Sequence, residues 1–191
     1  MNVFFCDIVG TFNGYEENIK LRKEKIKIFV DKLIELSDNQ ILYFNFISGD
    51  NYLFVKRYID EIQEYIKDTN IILDTNYCYN QIYKNNTLYN NPYLCKWEQI
   101  CNYVENNPNI NRIYYAEDGI INLQMTEELL SEEHENIELI QFIPGSEINE
   151  YNIVGSKEKG IDSLINILTK YINNLKNNNN NNNNNNIQKK L

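Results

Sequence analysis

Four polar side chains stand where an apolar run ends or a helix begins: Asp7, Ser48, Lys96 and Asp118. Two carboxylates brought close together repel each other unless a cation lies between them. A hard divalent cation such as Mg²⁺ suits carboxylate and carbonyl oxygens. A hydroxyl and an ammonium beside that cation make a place for a phosphate, and Ser48-Gly49 at the mouth of a helix adds backbone N–H donors. The chemistry implied is phosphoryl transfer with an aspartate as covalent nucleophile. Each residue alone has a plainer role. Asp7 caps a turn, Ser48 caps a helix, Asp118-Gly119 is a turn, and Lys96 is a surface lysine.

The elements that must position these residues are legible as hydrophobic patterns. Val3-Phe4-Phe5-Cys6 runs straight into Asp7-Ile8-Val9-Gly10-Thr11 and reads as a strand buried on both faces. Ile41–Ile47 is a second apolar strand closed by Ser48-Gly49-Asp50, residues 70–73 a short third, Arg112–Ala116 a fourth before Glu117-Asp118-Gly119, and Ile137–Ile143 a fifth before Pro144-Gly145. Helical spacing marks about 20–36, 52–67, Pro92 to about Val104, 126–133 and 158–175. Strands alternating with helices predict an α/β fold: a three-layer, Rossmann-like parallel sheet with helices on both faces. Asp7 then lies at the carboxyl end of its strand, where such sheets bind ligands. Residues 1–175 form one domain. The Asn/Tyr-rich stretch 74–92 holds a small hairpin around Asn85-Asn86, and 176–191, with its polyasparagine run, is a disordered tail.

The net charge of −9 argues against nucleic acid or an anionic membrane as main partner. No apolar run approaches a membrane span and no signal peptide is seen, so the expected location is cytoplasmic. Four cysteines without CxxC spacing and a single histidine, His134, disfavour a zinc site. His134, among glutamates, reads as a solvated surface residue, and Trp97 as core.

In this order and spacing the residues resemble the haloacid dehalogenase (HAD) superfamily of phosphatases. Asp7-Ile8-Val9-Gly10-Thr11 is similar to its first motif, Asp-x-Asp-x-Thr. Phe46-Ile47-Ser48-Gly49 is similar to the second, Lys96 to the third, and Glu117-Asp118-Gly119-Ile120-Ile121-Asn122 to the acidic fourth. The resemblance covers about residues 1–175. It implies that Asp7 attacks phosphorus, that Ser48, Gly49 and Thr11 contact the phosphoryl group, and that Lys96 neutralises it and holds Asp7. It implies that Mg²⁺ is bound by Asp7, the backbone carbonyl of Val9 and Asp118, with Asn122 reaching it through water. Lys84, Lys157 and Lys159 compete for the role of Lys96.

The departure is Val9. The family's phosphatases carry there the aspartate that protonates the leaving group and then activates water. Such help is typically worth about 10²–10⁴ in rate. The expectation is therefore a Mg²⁺-dependent phosphoric monoester hydrolase that turns over slowly. The alternative is an inactive binding or interaction module. The short loop after the first strand leaves no room for a cap, so the site accepts a large substrate or is covered by a neighbouring subunit of a homo-oligomer. Tyr77, Tyr79, Tyr83 and Tyr89 either line its mouth or form a subunit contact.

Overall fold

The computed structural model describes residues 1–13, 19–50, 52–74, 81–84, 87–90, 95–146, 149–150, 152–156 and 160–188. For 19, 52, 81–84, 87–90, 149–150 and 179–188 it describes the backbone alone. In chain order the elements are β1 (Asn2–Asp7), α1 (Ile19–Ser37), β2 (Leu42–Ile47), α2 (Tyr52–Ile66), β3 (Ile71–Leu73), β4 (Gln81–Lys84), β5 (Thr87–Asn90), α3 (Lys96–Asn106), β6 (Arg112–Ala116), α4 (Ile120–Glu133), β7 (Glu138–Pro144), β8 (Asn149–Glu150), β9 (Ile153–Ser156) and α5 (Gly160–Gln188).

Seven strands make one sheet in the order β3-β2-β1-β6-β7-β9-β8. The six from β3 to β9 run parallel, and β8 joins β9 antiparallel at the edge. Helices α1, α2 and α5 cover one face and α3 and α4 the other, giving the α/β three-layer arrangement. The chain leaves β1 toward β2 on one side and comes back through β6 on the other. The carboxyl end of β1 is thus the switch point where open α/β sheets form a crevice.

Alternation along each strand sorts side chains between the faces. Phe4, Phe44, Tyr114 and Phe142 point to the α1/α2/α5 side, where Phe4 stacks on the other three rings at 5.8–6.2 Å between centroids. Val3, Phe5, Ile113 and Tyr115 point to the α3/α4 side. Register does the rest. Asp7 lies opposite Ile47, and Cys6 lies opposite Ala116. Glu117 is therefore level with Asp7, and Ser48 follows one residue further on, all at the carboxyl end of the sheet.

Several boundaries differ from the sequence expectations. Helix α4 begins at Ile120 rather than near 126, directly on the Asp118-Gly119 turn. The Ile120-Ile121 pair is exposed, which hid the first turn from a search for apolar periodicity. Strands β8 and β9 were not anticipated, being short and interrupted by polar residues. Within the stretch 74–92, β4 pairs antiparallel with β5, and the Asn85-Asn86 turn expected between them lies outside the described residues. The tail expected to be disordered continues α5 as helix to Gln188. Asn is a poor helix former, but extending an existing helix costs far less than starting one. Among the described residues no helix is long and apolar enough to cross a membrane, and there is no large cap over the carboxyl end of the sheet.

Candidate active site

Asp7 is the last residue of β1 and is 2% exposed. Its side chain shares the α3/α4 face with Val3 and Phe5, and Lys96 opens α3 on that face. Glu98 helps start this helix, its Oε2 accepting from the Cys95 backbone N–H at 3.3 Å. The Lys96 ammonium donates to Asp7 Oδ1 at 2.7 Å and to Glu117 Oε2 at 2.8 Å. Glu117 is 1% exposed and fully engaged. Its Oε2 also accepts from the Tyr115 hydroxyl at 2.9 Å, and its Oε1 from the Gly119 N–H at 2.9 Å. Asp118, exposed to solvent, completes the cluster: carboxylate oxygens of Asp7, Glu117 and Asp118 all lie within 4.8 Å of one another.

Three acids against one ammonium leave a surplus of negative charge, and the electrostatics follow. Burial, then the neighbouring Glu117, raises the Asp7 carboxyl from 3.8 to about 7 against the opposing pull of Lys96. Burial and Glu117 likewise raise Asp118. Burial draws Lys96 down, but Asp7 and Glu117 more than offset it and hold the ammonium above its ordinary range. Burial and Glu117 push the Tyr115 hydroxyl well up, so it remains a donor. Asp7 Oδ2 is buried with no hydrogen-bond partner. A buried anionic oxygen without a partner is costly. This donor set of hard oxygens with an orphaned carboxylate atom therefore fits a divalent cation of the Mg²⁺ type.

Around this centre, Gly10 adopts φ +83°, and a Cβ built there would lie 2.2 Å from Asp118 Oδ2. Only glycine lets the loop after β1 turn this way and lie so close to that carboxylate. Ser48 is buried, and its hydroxyl donates to Asp50 Oδ2 at 3.1 Å and accepts from the Asp50 N–H at 3.0 Å. A Cβ on Gly49 would meet nothing within 4 Å, so the space beside Ser48 is open. Thr11 is fully buried with Oγ1 unpartnered. The Asn122 amide nitrogen lies near Gly119, 3.0 Å from where a Cβ would stand. Val9 projects its side chain outward, 55% exposed.

The structure thus brings Asp7, Lys96 and Asp118 together, while Ser48 follows the end of β2, the strand next to β1, and pairs with Asp50. The competitor Lys84 has no described side chain, and Lys157 and Lys159 lie outside the described residues, as do Tyr77, Tyr79 and the side chains of Tyr83 and Tyr89. Glu117 is the residue that sequence reasoning missed. The signal was available: aligning Val3–Cys6 with Ile113–Ala116 sets Asp7 and Glu117 at equivalent positions, on one face of adjacent strands. Trp97 is half-buried rather than core. His134 is not a solvated surface residue. It ends α4 with Nε2 buried and unpartnered, beside a cavity of about 400 Å³ that shares no lining residue with the acidic cluster.

No model of a known protein family matches the chain, and no curated protein sequence does. Among solved structures it is similar to the HAD domain of the effector protein Lem4 from Legionella pneumophila. The identity is 14% and the TM-score 0.47, over 90% of this chain and 93% of that one.

Proposed function

We propose that the chain is a small, capless, Mg²⁺-dependent phosphatase of the HAD type, slowed by Val9. The observation that carries this reading is Lys96 held between Asp7 and Glu117, with Asp118 beside them, at the carboxyl end of a parallel sheet. Asp7, Asp118 and the Val9 carbonyl would hold Mg²⁺, with Asn122 reaching it through water. The ion, when bound, neutralises charge and orients the phosphoryl oxygens. Asp7 attacks phosphorus as the nucleophile. Lys96 opposes the rise of the Asp7 carboxyl and offsets the phosphoryl charge. Ser48, Gly49 and Thr11 form the remaining wall for the phosphoryl group. Glu117 anchors Lys96, through bonds that leave it little capacity for other partners.

The substrate is a small phosphorylated molecule or a phosphorylated group on a larger one. The acidic net charge disfavours nucleic acid and anionic membranes as partners, and a cytoplasmic location suits the free thiols of Cys6, Cys95 and Cys101. A homo-oligomer would cover the open site. Val9 favours a second reading, a phosphate-binding module that has lost turnover. The deciding measurement is hydrolysis of an aryl phosphate with Mg²⁺ by the natural chain, Asp7→Asn and Val9→Asp. Turnover abolished by Asp7→Asn supports the enzyme. An inert natural chain beside an active Val9→Asp supports the binding module.

A further inference from the structure

Among the exposed large apolar side chains of the described residues, Ile41 at 52% lies just before β2 at the far end of the sheet, while Leu53 at 73%, Ile121 at 69%, Val9 at 55% and Ile120 at 51% make a second group. These last four sit at the carboxyl end of the sheet, beside the site. Val9 follows Asp7 in the turn after β1, Leu53 stands in the first turn of α2 after Ser48, and Ile120 and Ile121 open α4 after Asp118. A charged phosphate site is thus bordered by apolar side chains that solvent disfavours. Val9 has a second consequence. With no carboxylic acid at that position, the leaving oxygen departs without a proton from the position beside Asp7.

We infer that the substrate of this site is the phosphate ester of a phenol, its ring seated on Val9, Leu53, Ile120 and Ile121. The inference rests on the phosphatase reading above and names its substrate class. In the first step an Asp7 oxygen–phosphorus bond forms and the phosphorus–aryl oxygen bond breaks. The phenolate leaves with the electron pair and takes its proton from solvent. In the second step water attacks phosphorus, the Asp7 oxygen–phosphorus bond breaks, and inorganic phosphate leaves while the water's proton passes to solvent. A tyrosine-type phenol has a pKa near 10. A simple alcohol is roughly as weak an acid as water, far weaker than the phenol. An unprotonated alkoxide is therefore a far poorer leaving group, and only the phenol tolerates the loss of the acid.

The test measures kcat/KM with Mg²⁺ for phenyl phosphate, glycerol phosphate and acetyl phosphate, for the natural chain and Val9→Asp. The expected result is a preference for phenyl over glycerol phosphate of more than about 10²-fold, which Val9→Asp narrows below about tenfold by raising the alkyl rate. Ile121→Ser with Leu53→Ser lowers the phenyl-to-acetyl phosphate ratio by about tenfold, since acetyl phosphate has a good leaving group and no ring. Free phosphotyrosine against a phosphotyrosyl peptide tells the source of the phenol: a higher kcat/KM for the peptide assigns it to protein, parity to a small molecule. Asp7-dependent turnover of phenyl and glycerol phosphate at similar kcat/KM overturns the inference while leaving the phosphatase reading intact. Turnover that survives Asp7→Asn, or no turnover and no phosphoryl adduct on Asp7 by mass spectrometry, overturns the phosphatase reading and this one with it.

Discussion

The two faces of the sheet are built on opposite rules. Toward α1, α2 and α5 the central strands present Phe4, Cys6, Phe44, Phe46, Tyr114 and Phe142, a dry layer of rings that Phe12, Phe29 and Tyr171 close from the loop and helix side. Toward α3 and α4 the same strands present Val3 and Phe5 but also the buried polar groups Asp7, Asn45 and Gln141, with Glu117 at the end of β6 and Gln99 facing them from α3. One face gains stability from close-packed apolar area. The other gives some of it up to keep charged and amide groups out of water at a chosen place. The polar face is where the site lies because its carboxylates need a helix start, that of α3, to deliver Lys96.

This contrast can be broken or sharpened at single residues. Phe4→Ala, in the dry layer, is expected to cost about 3–5 kcal/mol in denaturant unfolding; a cost under about 1 kcal/mol would mean that the ring stack is not what holds this face. Lys96→Met strands Asp7 and Glu117 as buried acids. It should lower stability by about 3 kcal/mol without metal and abolish turnover, and unchanged stability at neutral pH would show the ion pair to be unimportant. Gly10→Ala sets a methyl against Asp118 and strains the left-handed turn. Its expected signature is a Mg²⁺ affinity lowered at least about tenfold by calorimetry, with folding reduced by only about 1–2 kcal/mol.

The pH dependence probes the polar face more gently. Asp7 titrates at 3.8 unfolded and about 7 folded. Between those values the folded chain binds the extra proton, so the metal-free protein loses stability as pH rises through that window. A cation that displaces the proton reverses the trend. Mg²⁺ at a hundredfold over its dissociation constant should stabilise the chain by about 2.7 kcal/mol near pH 8 but by less than about 0.5 kcal/mol near pH 5, where Asp7 holds its proton. Equal Mg²⁺ stabilisation at both pH values, followed by thermal unfolding, would remove Asp7 from the ligand set. The smallest effect belongs to Asn45. It is fully buried in β2, and neither its Oδ1 nor its Nδ2 finds a partner. Asn45→Leu should stabilise the chain by about 1 kcal/mol, and destabilisation would reveal a buried water that the amide holds.

The strands were legible because they are unusually apolar and aromatic, and the strand order brought Asp7 and Asp118 to one end of the sheet as the alternation predicted. Lys96 was legible by its place before a helix. Glu117 was not, because a carboxylate beside a loop resembles any turn residue until the register of β1 and β6 sets it level with Asp7. The start of α4 was hidden by an apolar pair turned outward. Strands β8 and β9 were hidden by their length, two and four residues, below what periodicity can register. The helical continuation of the asparagine run depends on the packed turns before it, not on its own composition.

The two ends of the sheet carry a last consequence. One edge is β3, three residues long, and the other is β8, two residues long and reversed in direction. Strands that short offer little unpaired backbone for another chain to extend. Asparagine-rich sequences are prone to stack into fibrils through extended strands, and here the run is wound into α5 instead. The molecule therefore carries an aggregation-prone composition beside a main sheet whose two edge strands give an incoming strand little to grip.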